Sequence, residues 1–72
     1  MTFEEFLDKI DQTYYDNDEM RYGQSLMNVL WNIWPEKYKE ITESDLDCFY
    51  DDGTMRLTID YLRKEWNKQG AL

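Results

Sequence analysis

Cys48 is the single thiol of this chain, and histidine is absent. Nucleophilic catalysis needs a hydroxyl or thiol activated by a base, yet Cys48 sits between Asp47 and Phe49 with no basic neighbour in sequence. It reads better as a small buried hydrophobe than as a reactive group. Without histidine the commonest zinc sites cannot be built. Asp45, Asp47, Asp51 and Asp52 lie close enough in sequence to converge on a hard cation such as calcium. The EF-hand spacing is absent, however: Gly53 is misplaced and no glutamate closes the loop. The plainer reading is favoured, in which Asp51 or Asp52 caps the helix that follows and the others are solvated. No phosphate-cradling glycine loop and no dinucleotide fingerprint occurs. With sixteen acids, some carboxylate pairs meet by chance, so acid–base catalysis is not inferred from pairing. The expectation is a protein that is not an enzyme and uses no metal or cofactor.

The remaining polar pattern of interest is made of amides. Gln24, Asn28 and Asn32 follow at four-residue intervals, which places them on one strip of a helix. Arg21 precedes them. An amide offers both donors and acceptors, so such a strip either hydrogen-bonds a neighbouring loop or forms a contact surface, with the loop-bonding role favoured.

Charge is segregated. The formal net charge is -8 over 72 residues. Glu4, Glu5, Asp8, Asp11, Asp16, Asp18 and Glu19 crowd the first segment, and Glu43, Asp45, Asp47, Asp51 and Asp52 crowd the stretch before the last helix. Residues 20–34 carry Arg21 and no acid. This balance disfavours direct binding of nucleic acid, which needs clustered Lys and Arg, and favours attraction to basic protein surfaces. No run approaches the roughly 18–20 apolar residues of a membrane span. The N-terminus carries acids where a signal peptide carries bases, and a lone thiol suits a reducing compartment. The expectation is a soluble, cytoplasmic protein with no membrane contact.

These residues are positioned by helices. Thr2 and Glu5 form a capping-box pattern. Phe3, Phe6, Leu7, Ile10 and Tyr14 then recur at helical spacing until Asp16-Asn17-Asp18. A second helix is expected from about Glu19 to Ile33. Its apolar arc of Met20, Tyr22, Leu26, Met27, Val29, Leu30, Trp31, Ile33 and Trp34 covers more than half the circumference, as befits a central helix. Gly23 within it suits a close helix–helix approach. Pro35 opens a short helix to Ile41, with Tyr38 and Ile41 inward. Residues 42–53 read as a loop with a turn over 46–50. A last helix spans Met55 to about Lys68, with Met55, Ile59, Leu62 and Trp66 as its stripe. Residues 55–61 also alternate as a strand would, and the helix is preferred. The fold expected is all-α: one small domain, residues 1–72, of three main helices plus one short helix, with helix 2 central. The chain is short, so its core depends on the aromatic load of three Trp, six Tyr and three Phe. Trp31, Trp34 and Trp66 are expected in that core, although the wide arc of helix 2 leaves room for one exposed aromatic to anchor an interface.

Three segments, Arg21-Tyr22-Gly23-Gln24, Asn28-Val29-Leu30 and Asp47-Cys48-Phe49-Tyr50-Asp51, resemble a pattern of short uncharacterised proteins of phages and bacteria. That pattern is R-x-G-Q opening a helix, then N-x-L, then a loop with D-x-F-Y and a final helix. Cys48 stands where the pattern has proline. The resemblance covers roughly residues 3–66 and implies no activity. It does imply an architecture in which Arg21 or Gln24 binds the loop around Asp47 to Tyr50. The function expected is a small acidic protein-binding module whose partner is another protein, in the manner of a phage-derived modulator of a host protein. Two alternatives stand beside it. One is a nucleic-acid mimic that inhibits a DNA- or RNA-binding protein. The other is a purely structural, self-associating domain such as a homodimer. The residues singled out for interaction or loop pinning are Arg21, Gln24, Asn28, Asn32, Asp45, Asp47, Asp51 and Asp52.

Overall fold

A computed structural model describes residues 1–17, 19–49 and 53–69. Four helices follow in order: α1 (Phe3–Asp16), α2 (Tyr22–Ile33), α3 (Pro35–Thr42) and α4 (Met55–Gln69). Helix α2 is central and contacts both α1 and α3. Residues 55–61 are helical, so the alternation there reflects helix faces rather than strand pairing.

The ends of α1 follow from its sequence. The Thr2 hydroxyl accepts the Glu5 N–H at 3.1 Å, and the Glu5 carboxylate accepts the Thr2 N–H at 2.9 Å. Two amide groups left without partners by the first turn are thereby satisfied. These bonds from Thr2, the backbone one first, hold the Glu5 carboxyl below its ordinary pKa. At the other end Asn17 is extended (φ -131°, ψ 91°), and its N–H returns to the Tyr14 carbonyl.

Helix α2 begins at Tyr22, three residues later than the apolar pattern suggests. Met20 N–H bonds the Asn17 carbonyl at 3.0 Å, closing a turn. Arg21 is extended (φ -74°, ψ 159°), and its N–H is taken by the Gln24 side-chain oxygen at 3.0 Å. The connection therefore consumes Glu19 and Met20. At Trp34 the chain leaves helical geometry (φ -147°, ψ 69°) and Pro35 starts α3, because proline disfavours the α region in the residue before it.

The core joins Phe3, Phe6 and Ile10 of α1 to Leu26, Met27, Val29 and Leu30 of α2, Ile41 of α3, and Leu62 and Trp66 of α4, with Cys48 from the loop. Trp66 is its centrepiece. Its ring stacks on Phe6 at 4.7 Å and meets Phe3 and Trp34 edge-on at 5.6 and 5.3 Å. The indole N–H donates to the Met1 carbonyl at 3.0 Å, so the ring is buried with no loss of hydrogen bonding. Thr58 is also fully buried, and its hydroxyl reaches the carbonyls of Leu46 and Thr54. It joins Leu62 and Trp66 on the buried stripe of α4 at a place the apolar pattern does not mark.

Two aromatics expected inside are outside. Tyr14 is exposed: it lies in the last turn of α1, where Tyr22 covers its ring from one side at 5.5 Å. Trp31 is 56% exposed.

Candidate functional site: the acid-free face of α2

Helix α2 has a covered side and an open side. Successive residues turn by about 100°, so Tyr22 and Trp31, nine apart, point in opposite directions. The Tyr22 hydroxyl donates to the Asp11 carboxylate of α1. Burial, then this bond, push its pKa upward. Helix α1 thus covers the Tyr22 side and leaves Trp31 on the far side. There Trp31 lies about 20° from Gln24 and about 60° from Asn28 around the helix. The exposed indole and the amide strip form one surface that carries no carboxylate of α2. Tyr38 of α3 holds the Trp31 ring edge-on, with centroids 5.1 Å apart and planes at 63°.

The amides bond within α2 and to the two residues just before it. Gln24 accepts the Arg21 N–H. Asn28 donates to the Met20 sulfur at 3.5 Å, and Asn32 donates to the Asn28 carbonyl at 3.0 Å. At the N-terminal end of this surface, Asp16, Asn17, Glu19, Met20 and Gln24 line an open cleft of about 420 Å³.

The loop residues divide. Asp45 is exposed. Asp47 accepts the Phe49 N–H at 3.0 Å and so shapes the chain locally. Asp51 and Asp52 lie outside the described residues, as does Tyr50. Among the described residues no three acids or cysteines converge as a metal site would require. Cys48 is fully buried, and its thiol faces the Gly23 carbonyl at 3.8 Å. The R-x-G-Q and D-x-F-Y segments therefore meet at Gly23 and Cys48. Gly23 is buried, and the loop reaches it at its carbonyl.

A polar cluster that sequence reasoning missed ties α3 to α4. Lys37 is only 7% exposed. Its ammonium bonds Glu40 and Glu65, each at 2.8 Å, and lies over the rings of Trp34 and Tyr61 at 5.1 and 5.3 Å. The Tyr61 hydroxyl also bonds Glu40, and Lys68 bonds Glu65 at 3.1 Å. Burial works against the charged ammonium, but the bonds to Glu40 and Glu65 outweigh it and raise the Lys37 pKa. Bonds from Lys37 and then Lys68 pull Glu65 down to about 2. The spacing of Lys37 and Glu40 carried part of the signal, as an i,i+3 pair; nothing in sequence links Lys37 to Glu65. The cluster's charges are matched, which suits holding two helices together rather than receiving a ligand.

The acids of α1 form a separate surface. Glu4, Glu5, Asp8 and Asp11 are exposed on the helix that covers the side of α2 opposite Trp31, whereas Asp16, at the end of that helix, lines the cleft beside Gln24. Comparison with protein-family models, with curated proteins and with solved structures gives no match.

Proposed function

We propose that this chain is a protein-binding module that engages its partner through the Trp31 face of α2. The observation that carries this reading is the exposure of Trp31, 56% in a small chain whose other two tryptophans, Trp34 and Trp66, are partly and almost fully buried. A large indole held in place by Tyr38 and bordered by amides has the composition of an interface centre with a polar rim. The Tyr38 contact on one edge of the ring lowers the rotamer freedom to be lost on binding. The partner sought is another protein, in the phage or bacterial setting that the resemblance implies.

The exposed acids of α1 support a second reading, docking to a basic patch or mimicry of a phosphate backbone. Because these acids lie on a different side, the two readings separate by mutation and by salt. The test is a pull-down from nuclease-treated bacterial lysate with wild type, Trp31→Ala and a double charge reversal, Glu4→Lys with Asp8→Lys, each washed at low and high salt. Loss of a stoichiometric partner with Trp31→Ala, at either salt, is the expected result. A partner that ignores Trp31→Ala but disappears with the charge reversal and at high salt would establish the acidic face instead.

A further inference from the structure

The cleft at one end of the Trp31 face gathers negative charge from two carboxylates and a helix end. We propose that the partner lays a basic helix on this face, with an apolar side chain against Trp31 and a Lys or Arg in the cleft. This rests on the reading of the Trp31 face as a binding surface and names the chemistry of its occupant.

Charge complementarity carries the argument. Asp16 is the last residue of α1, and no basic residue lies in the last turn of that helix. The C-terminal carbonyls of a helix carry partial negative charge, which favours a cation there and disfavours a carboxylate. Glu19 brings a second carboxylate to the same cleft. Both acids are exposed, and among the described residues neither is ion-paired. Two carboxylates and a helix C-terminus around one opening repel each other in the free chain, and a cation from outside relieves that repulsion. A phosphate-bearing or acidic occupant would meet the same carboxylates on a chain of net charge -8 and be turned away.

The spacing selects a helix. Gln24, which lines the cleft, and Trp31 are seven residues apart on one strip of α2, about 10 Å along its axis. Two residues seven apart on a partner helix share one face and span the same distance. A helix laid along α2 therefore reaches the indole and the cleft together, passing over the uncharged amide of Asn28. The cleft, about 420 Å³, has room for a Lys or Arg side chain. Met20 lines it, so the aliphatic stem of that base lies on the thioether while its head group reaches Asp16 and Glu19.

The test is a nuclear magnetic resonance titration of the isotope-labelled full chain with three helical peptides. Each is an alanine-based helix of about eighteen residues with one central leucine and, seven positions to either side, Arg, Gln or Glu. The Arg peptide should shift the Trp31 indole and the Glu19 and Met20 amides, and bind about three- to tenfold more tightly than the Gln peptide. The Glu peptide should be the weakest. Asp16→Asn with Glu19→Gln should remove the preference for Arg and keep the Trp31 shift, as should high salt. Glu4→Gln with Asp8→Asn, which removes the same charge from elsewhere on α1, should leave the preference intact. Trp31→Ala should weaken all three peptides, and thermal melts check that each variant keeps its fold. Equal binding of the Arg and Gln peptides overturns the basic occupant, and so does a preference that survives Asp16→Asn with Glu19→Gln. If such binding still depends on Trp31, the reading of this face as a binding surface stands without it. Peptides that ignore Trp31→Ala sink both. No shift at Trp31 with any peptide at millimolar concentration overturns the proposal, and so do Trp31 shifts that grow with protein concentration alone, which would put a second copy on the face.

Discussion

Lys37 and Trp31 have exchanged the places their side-chain types suggest: the lysine is buried and the tryptophan is exposed. Lys37 is stabilised inside by two carboxylates and two aromatic faces, so removing it leaves Glu40 without its cation and Glu65 with Lys68 alone. Lys37→Ala should destabilise the fold by about 2 kcal/mol, below the figure for a fully buried pair because Glu40 is partly solvated, measured by urea denaturation. Trp31→Ala should change stability by less than about 0.5 kcal/mol, which makes it a clean probe of binding. The pH response follows from Glu65. Its folded pKa of about 2 lies below the ordinary 4.5, so its contribution is complete above pH 4.5 and is lost as pH falls toward 2. In thermal melts over that range the stability difference between wild type and Glu65→Gln should shrink as pH falls. A constant difference would show that Glu65 is not held by Lys37.

At the scale of elements, the helix starts are governed by local chemistry and the helix partners are not. The α1 capping box is legible because Thr2 and Glu5 are three residues apart, and Thr2→Ala should cost about 1 kcal/mol. The delayed start of α2 comes from Gln24 turning back on Arg21 N–H, an arrangement that a hydrophobic pattern does not register. Gln24→Ala should lower the melting temperature by removing that bond. If Gln24→Ala and Arg21→Ala both leave it unchanged, the idea that this corner organises the chain fails. The contact of Gly23 with Cys48 makes a sharper test. Gly23 is buried, so a methyl group there must be fitted into a packed corner, and Gly23→Ala should destabilise by about 1–3 kcal/mol, even though alanine is the better helix former by about 1 kcal/mol.

On the scale of the whole molecule, charge and shape are distributed to different sides. Glu4, Glu5 and Asp8 of α1 lie away from Trp31, Asp16 borders its face at the cleft, and the ammonium of Lys37 is matched inside. Salt should therefore weaken association with a basic partner at the acidic face and spare an aromatic contact at the Trp31 face. Binding measurements across a range of salt would tell the two apart.

Read from sequence, this chain is all-helical, with α2 central, α3 started by Pro35, a buried Cys48 and a buried stripe through Leu62 and Trp66. Those features follow from periodicity, capping and the restriction proline places on its neighbour, all of which act over a few residues. Only the tertiary structure decided that Trp31 is outside while Trp66 is inside, that Lys37 is buried against Glu65, and that Gly23 receives Cys48. An apolar arc more than half the circumference of α2 does not say which part α1 and α3 will cover. That depends on where the connections let those helices lie, and it is the uncovered remainder that carries the candidate site.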